Sequence, residues 1–392
     1  MQINSLSIKN SIDYLALGLV FLAILTLPFS PALSSAAIIA AILNLISGKF
    51  KQNIHKIFNY KMQYISLLLV TMLAIGITYN HFNLNYAIKI FMKYSDKLLL
   101  PPLLVASFNT AKLRQIALNC FIIGVFCSSF LFTSQAHITH YDPIAWSMLI
   151  AFACFLLVHK IINNRKFWLH ILYGVIFLWL VFDLYFINIE RTGMLIFFVL
   201  MALTLIQKLK WKGVLYAIII IPMIFASICF LSPKACDRIM QIKRSIHELY
   251  YSHNQKTSTG TRIIFLKTSL GLIKRKPLFG YGTGSFPYIY DTTHAVTAEE
   301  GQPLWDPHNS FVHLAVQIGL VGMIIFMLWL ITQFFEARSL PLFERYLAQG
   351  LIITFTINSC TVDALLIHRS ALFYVLFISV LFGAGIEKQT NL

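Results

Sequence analysis

Apolar residues in this chain come in blocks of roughly 17–23, the length an α-helix needs to cross the hydrocarbon core of a bilayer. Twelve such blocks can be drawn, over about 12–29, 31–47, 63–80, 86–108, 113–132, 143–159, 167–187, 192–207, 212–231, 309–332, 345–360 and 370–386. Only 12% of the 392 residues are charged, where a soluble domain carries about 25%. The expected fold is therefore an all-α polytopic membrane protein with about 12 transmembrane helices. The fourth block is the weakest, because Lys89, Lys93, Lys97 and the Pro101-Pro102 pair interrupt it. A broken helix whose first part lies at the interface is one reading of it.

The formal charge of +16 invites a nucleic-acid reading, but its placement argues against one. Lys49, Lys51, Lys56 and Lys61, then Lys112 and Arg114, then Lys160, Arg165 and Lys166, then Lys208, Lys210 and Lys212, and finally Arg338 and Arg345 fall in alternate connections. The intervening short loops are nearly free of basic residues: "PFSP" and "TSQAHITHYDP" have none and "NIERT" has only Arg191. Basic loops stay cytoplasmic, so both termini are expected there. The one long loop, about 232–308, is then external, since long loops translocate whatever their charge. The chain divides accordingly into 1–231 with nine spans, the loop 232–308, and 309–392 with three spans. The six cysteines form no disulfide framework; Cys120, Cys127, Cys154 and Cys360 lie inside apolar blocks, and Cys229 and Cys236 lie near the end of one. The first block is long and lacks a small-residue cleavage site, so it reads as a retained span.

The external loop is the only sizeable polar region. After a basic stretch from Lys234 to Lys256, Ile263, Leu266, Leu270 and Ile273 recur at helical spacing, with Lys267, Lys274 and Arg275 turned away. That pattern predicts an amphipathic helix on the membrane surface, begun near Arg262 and ended by Pro277. The run "GYGTGSF" that follows lacks the Lys-Ser/Thr of a phosphate loop. It reads as a tight turn bringing backbone against backbone.

Three side chains stand out at this face. Arg191 fits either an interfacial residue paired with Glu190 or an anion contact, and Arg262 carries the same ambiguity. In "DPHNSF", Asp306 reads as an N-cap and Pro307 as the first helical residue, which sets His308 and Asn309 in the first turn. There the helix dipole opposes a proton on His308, and a neutral imidazole can accept one from a hydroxyl. A histidine that merely completes a helix start is the plainer reading. Metal binding is not expected: His308 and His313 are five residues apart and cannot share a helix face, and His137 and His140 lack an acidic or thiol partner set.

The residues "HNSFVHLAVQIGLVG" resemble the signature of O-antigen ligases and the wider group of O-antigen polymerases and protein O-oligosaccharyltransferases. The match is His308-Asn309, nine residues, Gly319, two residues, Gly322. "TGTRIIFLKTSLGLIKRKPLFGYGTGSF" looks like the family's Arg-containing helix and its Pro-Leu-Phe-Gly-x-Gly turn. "ERTGMLIFF" is similar to the family's other arginine position, with Glu190 where serine is common. The resemblance implies a Gram-negative inner-membrane enzyme that takes a glycan from undecaprenyl pyrophosphate on the periplasmic side. It would transfer that glycan to a sugar hydroxyl of lipid A–core, without cofactor, nucleotide or metal.

In that chemistry Arg191 and Arg262 hold the pyrophosphate and His308 activates the acceptor hydroxyl, with inversion. Asn309, Tyr281 and Asp363 are accessory candidates. Asp363 either helps position His308 or the acceptor, or is an ordinary loop carboxylate. A polymerase or protein-glycosylating member is the nearest alternative; against the second, the chain ends soon after its last span. A transporter is the reading from another class, disfavoured because the deep spans carry few charges and no inverted repeat shows in their spacing.

Overall fold

The computed structural model describes residues 2–134, 142–251, 257–293 and 306–390, so His137 and His140 lie outside it. Within those residues the chain is helical, with no β-strand. The helices are α1 (Gln2–Thr26), α2 (Pro31–Ser34), α3 (Ala36–Ile46), α4 (Lys49–Phe58), α5 (Lys61–Thr78), α6 (Leu84–Leu104), α7 (Ala111–Ser134), α8 (Pro143–Asn163) and α9 (Phe167–Phe182). They continue as α10 (Arg191–Leu209), α11 (Trp211–Leu231), α12 (Pro233–Tyr251), α13 (Ser258–Arg275), α14 (Phe286–Thr293), α15 (Ser310–Glu336), α16 (Leu342–Ser359) and α17 (His368–Thr390). The fold is an all-α polytopic membrane protein: among the described residues nine helices are long and apolar enough to cross a bilayer, or up to 10 with one bent pair counted. The two remaining expected spans correspond to α6 and α16, which carry too much polar character to pass on apolarity.

The first arm of the bent pair, Ala32–Ile46, occupies the expected span over 31–47, and the bend comes just past its end. The chain turns by 98° between the α3 region and α4, at Gly48, whose φ is +81°. Eleven residues of α3 rise only about 16 Å, half a bilayer. α4 carries Lys49, Lys51 and Lys56 and buries Ile57, the pattern of a helix lying at the interface.

α6 differs from expectation, because it runs unbroken through Pro101 and Pro102. Pro102 has no N–H to give the carbonyl of Leu98. The Ser66 hydroxyl on α5 donates to that carbonyl instead, at 2.7 Å. A neighbouring helix thus satisfies the freed backbone group, as low-dielectric surroundings require. Lys97, also buried, pairs with Asp96 at 2.7 Å. At the centre of the bundle α8 and α17 are almost wholly enclosed, whereas α9 and α11 sit at its periphery with few of their residues enclosed.

α15 is two half-helices. Ile318 and Gly319 leave helical geometry, Gly319 at φ +75° and ψ −178°, a region open almost only to glycine. The segment Pro277–Gly282 plugs the break. Tyr281 N–H donates to Val316 O at 3.0 Å, Gly282 N–H to Gln317 O at 2.8 Å, and Leu320 N–H to Pro277 O at 2.8 Å. A Cβ at Gly319 would overlap the carbonyl of Leu278, and one at Gly280 would overlap that of Val316. The glycine-rich run is therefore the tight backbone-on-backbone turn its composition suggests. It anchors the loop helices through a small core of Phe265, Leu272, Ile273, Phe286, Ile289 and Tyr290 against Ala315 and Val316.

Candidate active site

His308 is not in a helix. α15 begins at Ser310 with Asn309 as its N-cap, whose Oδ1 accepts from Val312 N–H at 3.0 Å. This corrects the expectation that Asp306 caps the helix and that His308 lies in the first turn. His308 instead adopts φ +53°, the left-handed region that non-glycine residues rarely occupy and that functional sites tolerate. Asp306 holds it there: its Oδ1 accepts from His308 N–H at 2.7 Å and lies 3.4 Å from Nδ1 of the ring. A carboxylate beside Nδ1 favours the tautomer with the proton on that nitrogen, leaving Nε2 as the acceptor. The side chain is 44% exposed, so Nε2 is within reach of a substrate. The helix dipole no longer supplies the reason for a neutral ring; Asp306 orients it.

One face of α13 joins the histidine to the arginines. Its residues at three-residue steps share a face. Thr259 Oγ1 accepts from Arg191 at 3.0 Å, Arg262 comes one turn on, and Phe265 another turn on packs its ring 5.8 Å from the His308 ring. Burial, offset in part by Glu190 and reinforced by Arg238, lowers Arg262 from the ordinary guanidinium range; it stays a cation. Glu190, the residue before α10, takes an ion pair from Arg238 on α12 at 3.3 Å. Among the described residues Arg191, Arg238 and Arg262 thus crowd around a single carboxylate. That cluster carries an excess of partly desolvated positive charge, which suits a multiply charged anion. Sequence alone does not set Arg238 apart from the other basic residues between Lys234 and Lys256; its one signal is the carboxylate of Glu190.

α13 has an enclosed face besides the apolar one expected to meet the membrane. Phe265, Ser269 and Leu272 are enclosed, while Leu266 and Leu270 are more than 40% exposed. The helix is apolar on two sides, one meeting the loop core and the other facing outward. It starts at Ser258 under a Thr257 cap, whose hydroxyl accepts from Gly260 N–H at 3.1 Å.

The accessory candidates have structural work. Asn309 Nδ2 donates to Cys360 O at 3.2 Å, which docks the start of α15 on the connection between α16 and α17. Tyr281 packs under Lys276, whose ammonium lies 4.8 Å from its ring centre, and its hydroxyl reaches Leu272 O at 3.4 Å. Asp363 sits in the α16–α17 connection, fully buried, and its partner is His313 rather than His308. Its Oδ2 accepts from His313 Nδ1 at 2.5 Å and from Tyr94 at 2.7 Å. Its Oδ1 is 3.3 Å from the Ser310 hydroxyl, which accepts from Ala364 N–H at 2.9 Å. Burial pushes the Asp363 carboxyl up, but the hydrogen bond and charge of His313, with the Tyr94 and Leu366 bonds, outweigh it and hold it below the ordinary range. This locked group pins the outer half of α15 from behind. An aromatic wall, His308–Phe265–Tyr290–Phe286–His313, separates it from the exposed histidine. No group of three or more His, Cys, Asp or Glu suited to a metal occurs among the described residues.

The architecture and the site define a class: a multi-pass helical membrane protein that presents a histidine and an arginine cluster on one face of its bundle. Residues 175–327 match the family model described as O-antigen ligase, a segment that holds Arg191, Arg238, Arg262 and His308 together. No curated protein matches the chain. Over that segment, somewhat less than half of its length, the chain is similar to the O-antigen ligase family.

Proposed function

We propose that the chain transfers a glycan from undecaprenyl pyrophosphate to a sugar hydroxyl of lipid A–core, on the periplasmic face of a Gram-negative inner membrane. The observation that carries this reading is the α13 face that sets Thr259 on Arg191, Arg262 one turn on, and Phe265 against His308. An anion-binding cluster and an oriented imidazole stand side by side, as attack on a glycosyl pyrophosphate requires.

In this reading the acceptor oxygen attacks the anomeric carbon from the side opposite the pyrophosphate, giving inversion. The hydroxyl proton passes to Nε2 of His308, while Asp306 beside Nδ1 steadies the imidazolium that forms. The bond from the anomeric carbon to the pyrophosphate oxygen breaks, and undecaprenyl pyrophosphate leaves with the electron pair. Arg191, Arg262 and Arg238 stabilise the charge that grows on it, the step at which fixed donors contribute most. The leaving group is already good, so these two tasks suffice and no metal is invoked.

The test is transfer in vitro with purified protein, undecaprenyl-pyrophosphate-linked glycan and lipid A–core. His308→Ala is expected to abolish transfer while leaving donor binding intact. Full transfer by His308→Ala would refute the assigned role. In a strain lacking the gene, bare core with accumulated lipid-linked polymer supports the ligase. Core bearing one repeat would indicate a polymerase, and unchanged lipopolysaccharide with unglycosylated protein would indicate a protein-glycosylating enzyme.

A further inference from the structure

α16 runs from Leu342 to Ser359, and its last residues lie beside the His308 site. At its other end, about 27 Å away along the axis, a second polar cavity of about 420 Å³ opens between α7, α8, α9 and α16. It is lined by Gln115, Asn119, Lys160, Asn163, Asn164, Tyr173, Phe343 and Glu344. None of the chemistry at His308 uses it.

Lys160 is only 7% exposed. Its ammonium donates to Gln115 Oε1 at 2.9 Å and Asn119 Oδ1 at 2.8 Å, and lies 5.8 Å from the centre of the Tyr173 ring. Among the described residues no carboxylate comes within ion-pair distance of it. A buried cation held only by neutral amides lacks the counter-charge that such burial normally demands. Glu344 on the same cavity wall is the complement. Its Oε1 accepts from Arg114 Nε at 3.0 Å, but Arg114 also serves Glu387 at 2.7 Å. One guanidinium faces two carboxylates, and among the described residues Glu344 Oε2 takes no hydrogen bond. The cavity therefore offers one uncompensated positive group and one carboxylate oxygen in need of a donor.

Its level in the membrane indicates where the missing group comes from. Exposed Phe167 and Trp168 begin α9 a turn or two from Tyr173, and exposed Trp211 begins α11. Aromatic side chains of this kind mark the headgroup layer. We propose that this cavity binds the headgroup of phosphatidylethanolamine. The phosphate sits against the Lys160 ammonium and the rim amides, and the primary ammonium donates to Glu344 Oε2. A choline headgroup has no N–H to give Glu344, and a glycerol headgroup has no positive charge for it. The recognition is of phosphate and ammonium together.

Purified protein is delipidated and then mixed with phosphatidylethanolamine, phosphatidylcholine or phosphatidylglycerol of the same acyl chains. Retained lipid is counted by native mass spectrometry and thermal stability is measured in parallel. Phosphatidylethanolamine is expected to be retained and to stabilise, about tenfold more strongly than the other two. Lys160→Met is expected to remove that preference. Asn163→Trp, which fills the exposed rim without touching the bonds of Lys160, is expected to do the same in a protein that still melts cooperatively. Equal retention of all three lipids, or undiminished preference in both variants, overturns the proposal. Equal phosphatidylethanolamine and phosphatidylglycerol would remove the role of Glu344 and overturn it too. Water-soluble phosphoethanolamine is the last arm: stabilisation by it without retention of the lipid would move the ligand to the soluble pool and refute the lipid assignment.

Discussion

Gly319→Ala tests whether the break in α15 holds the site together. The new methyl group would overlap the carbonyl oxygen of Leu278, which is backbone and cannot swing aside. The conformation itself, φ +75° with ψ −178°, costs a non-glycine residue about 1–3 kcal/mol. If the loop retreats to relieve the overlap, three backbone hydrogen bonds are lost, two donated to α15 by Tyr281 and Gly282 and one accepted from Leu320 by Pro277. At about 1 kcal/mol each, the loss totals roughly 4–6 kcal/mol, enough to detach the plug. The loop core would then come away from Ala315 and Val316, and α13 would lose its seat beside His308. The assay pairs thermal melting of purified protein with in vitro glycan transfer. A fall in melting temperature together with loss of transfer is expected. Gly271→Ala, where nothing lies within 4 Å of the added carbon, is the control and is expected to be neutral or stabilising by up to about 1 kcal/mol. A Gly319→Ala protein with the melting temperature and activity of the parent would refute the account of the broken helix.

Other outcomes follow from the same geometry. Arg262→Lys keeps the charge but loses the planar fork, and is expected to cut transfer about 10²–10³-fold, read as turnover of lipid-linked glycan. Asp363→Asn leaves buried His313 without its anionic partner and is expected to cost about 3–5 kcal/mol, measured by chemical or thermal unfolding. Because the Asp363 carboxyl is held below its ordinary range, its stabilisation is complete above the unfolded value of about 3.9. It fades as pH falls through the lowered native value, so the difference between parent and variant should shrink in strongly acidic buffer; a constant difference would contradict the ion pair. Ser66→Ala leaves the Leu98 carbonyl without a donor at the proline step of α6 and is expected to cost about 1 kcal/mol, seen as a lower melting temperature.

The membrane architecture was legible because block length alone carries it. Two places were not. The turn at Gly48 follows the apolar block over 31–47, and only the Lys-rich composition of α4 after it hints at a helix laid flat. At the site, Asp306 and Asn309 are both good caps. Sequence cannot choose between them, because the choice is made by Cys360, whose carbonyl anchors Asn309 from the far connection. The apolar faces of α13 pose the same problem: periodicity shows Leu266 and Leu270, but whether protein or outside covers them depends on the partner. Asp363 is legible as a candidate, yet its partner is His313 rather than His308, a pairing between distant positions that helical spacing cannot show. Gly319 was readable as part of a pattern, and its physical cause needed the segment Pro277–Gly282 to be seen in place.

The nine residues between Asn309 and Gly319 act as a ruler. Its lower mark is the plug at the break, and its upper mark is the cap that fastens on Cys360. Each added residue would turn the upper mark by about 100° and lift it about 1.5 Å. Asn309 would then miss its anchor and His308 would point away from the arginines. Side chains along the ruler can vary in size and polarity so long as the core admits them; its length cannot. Insertions should be tolerated nowhere between Asn309 and Gly319.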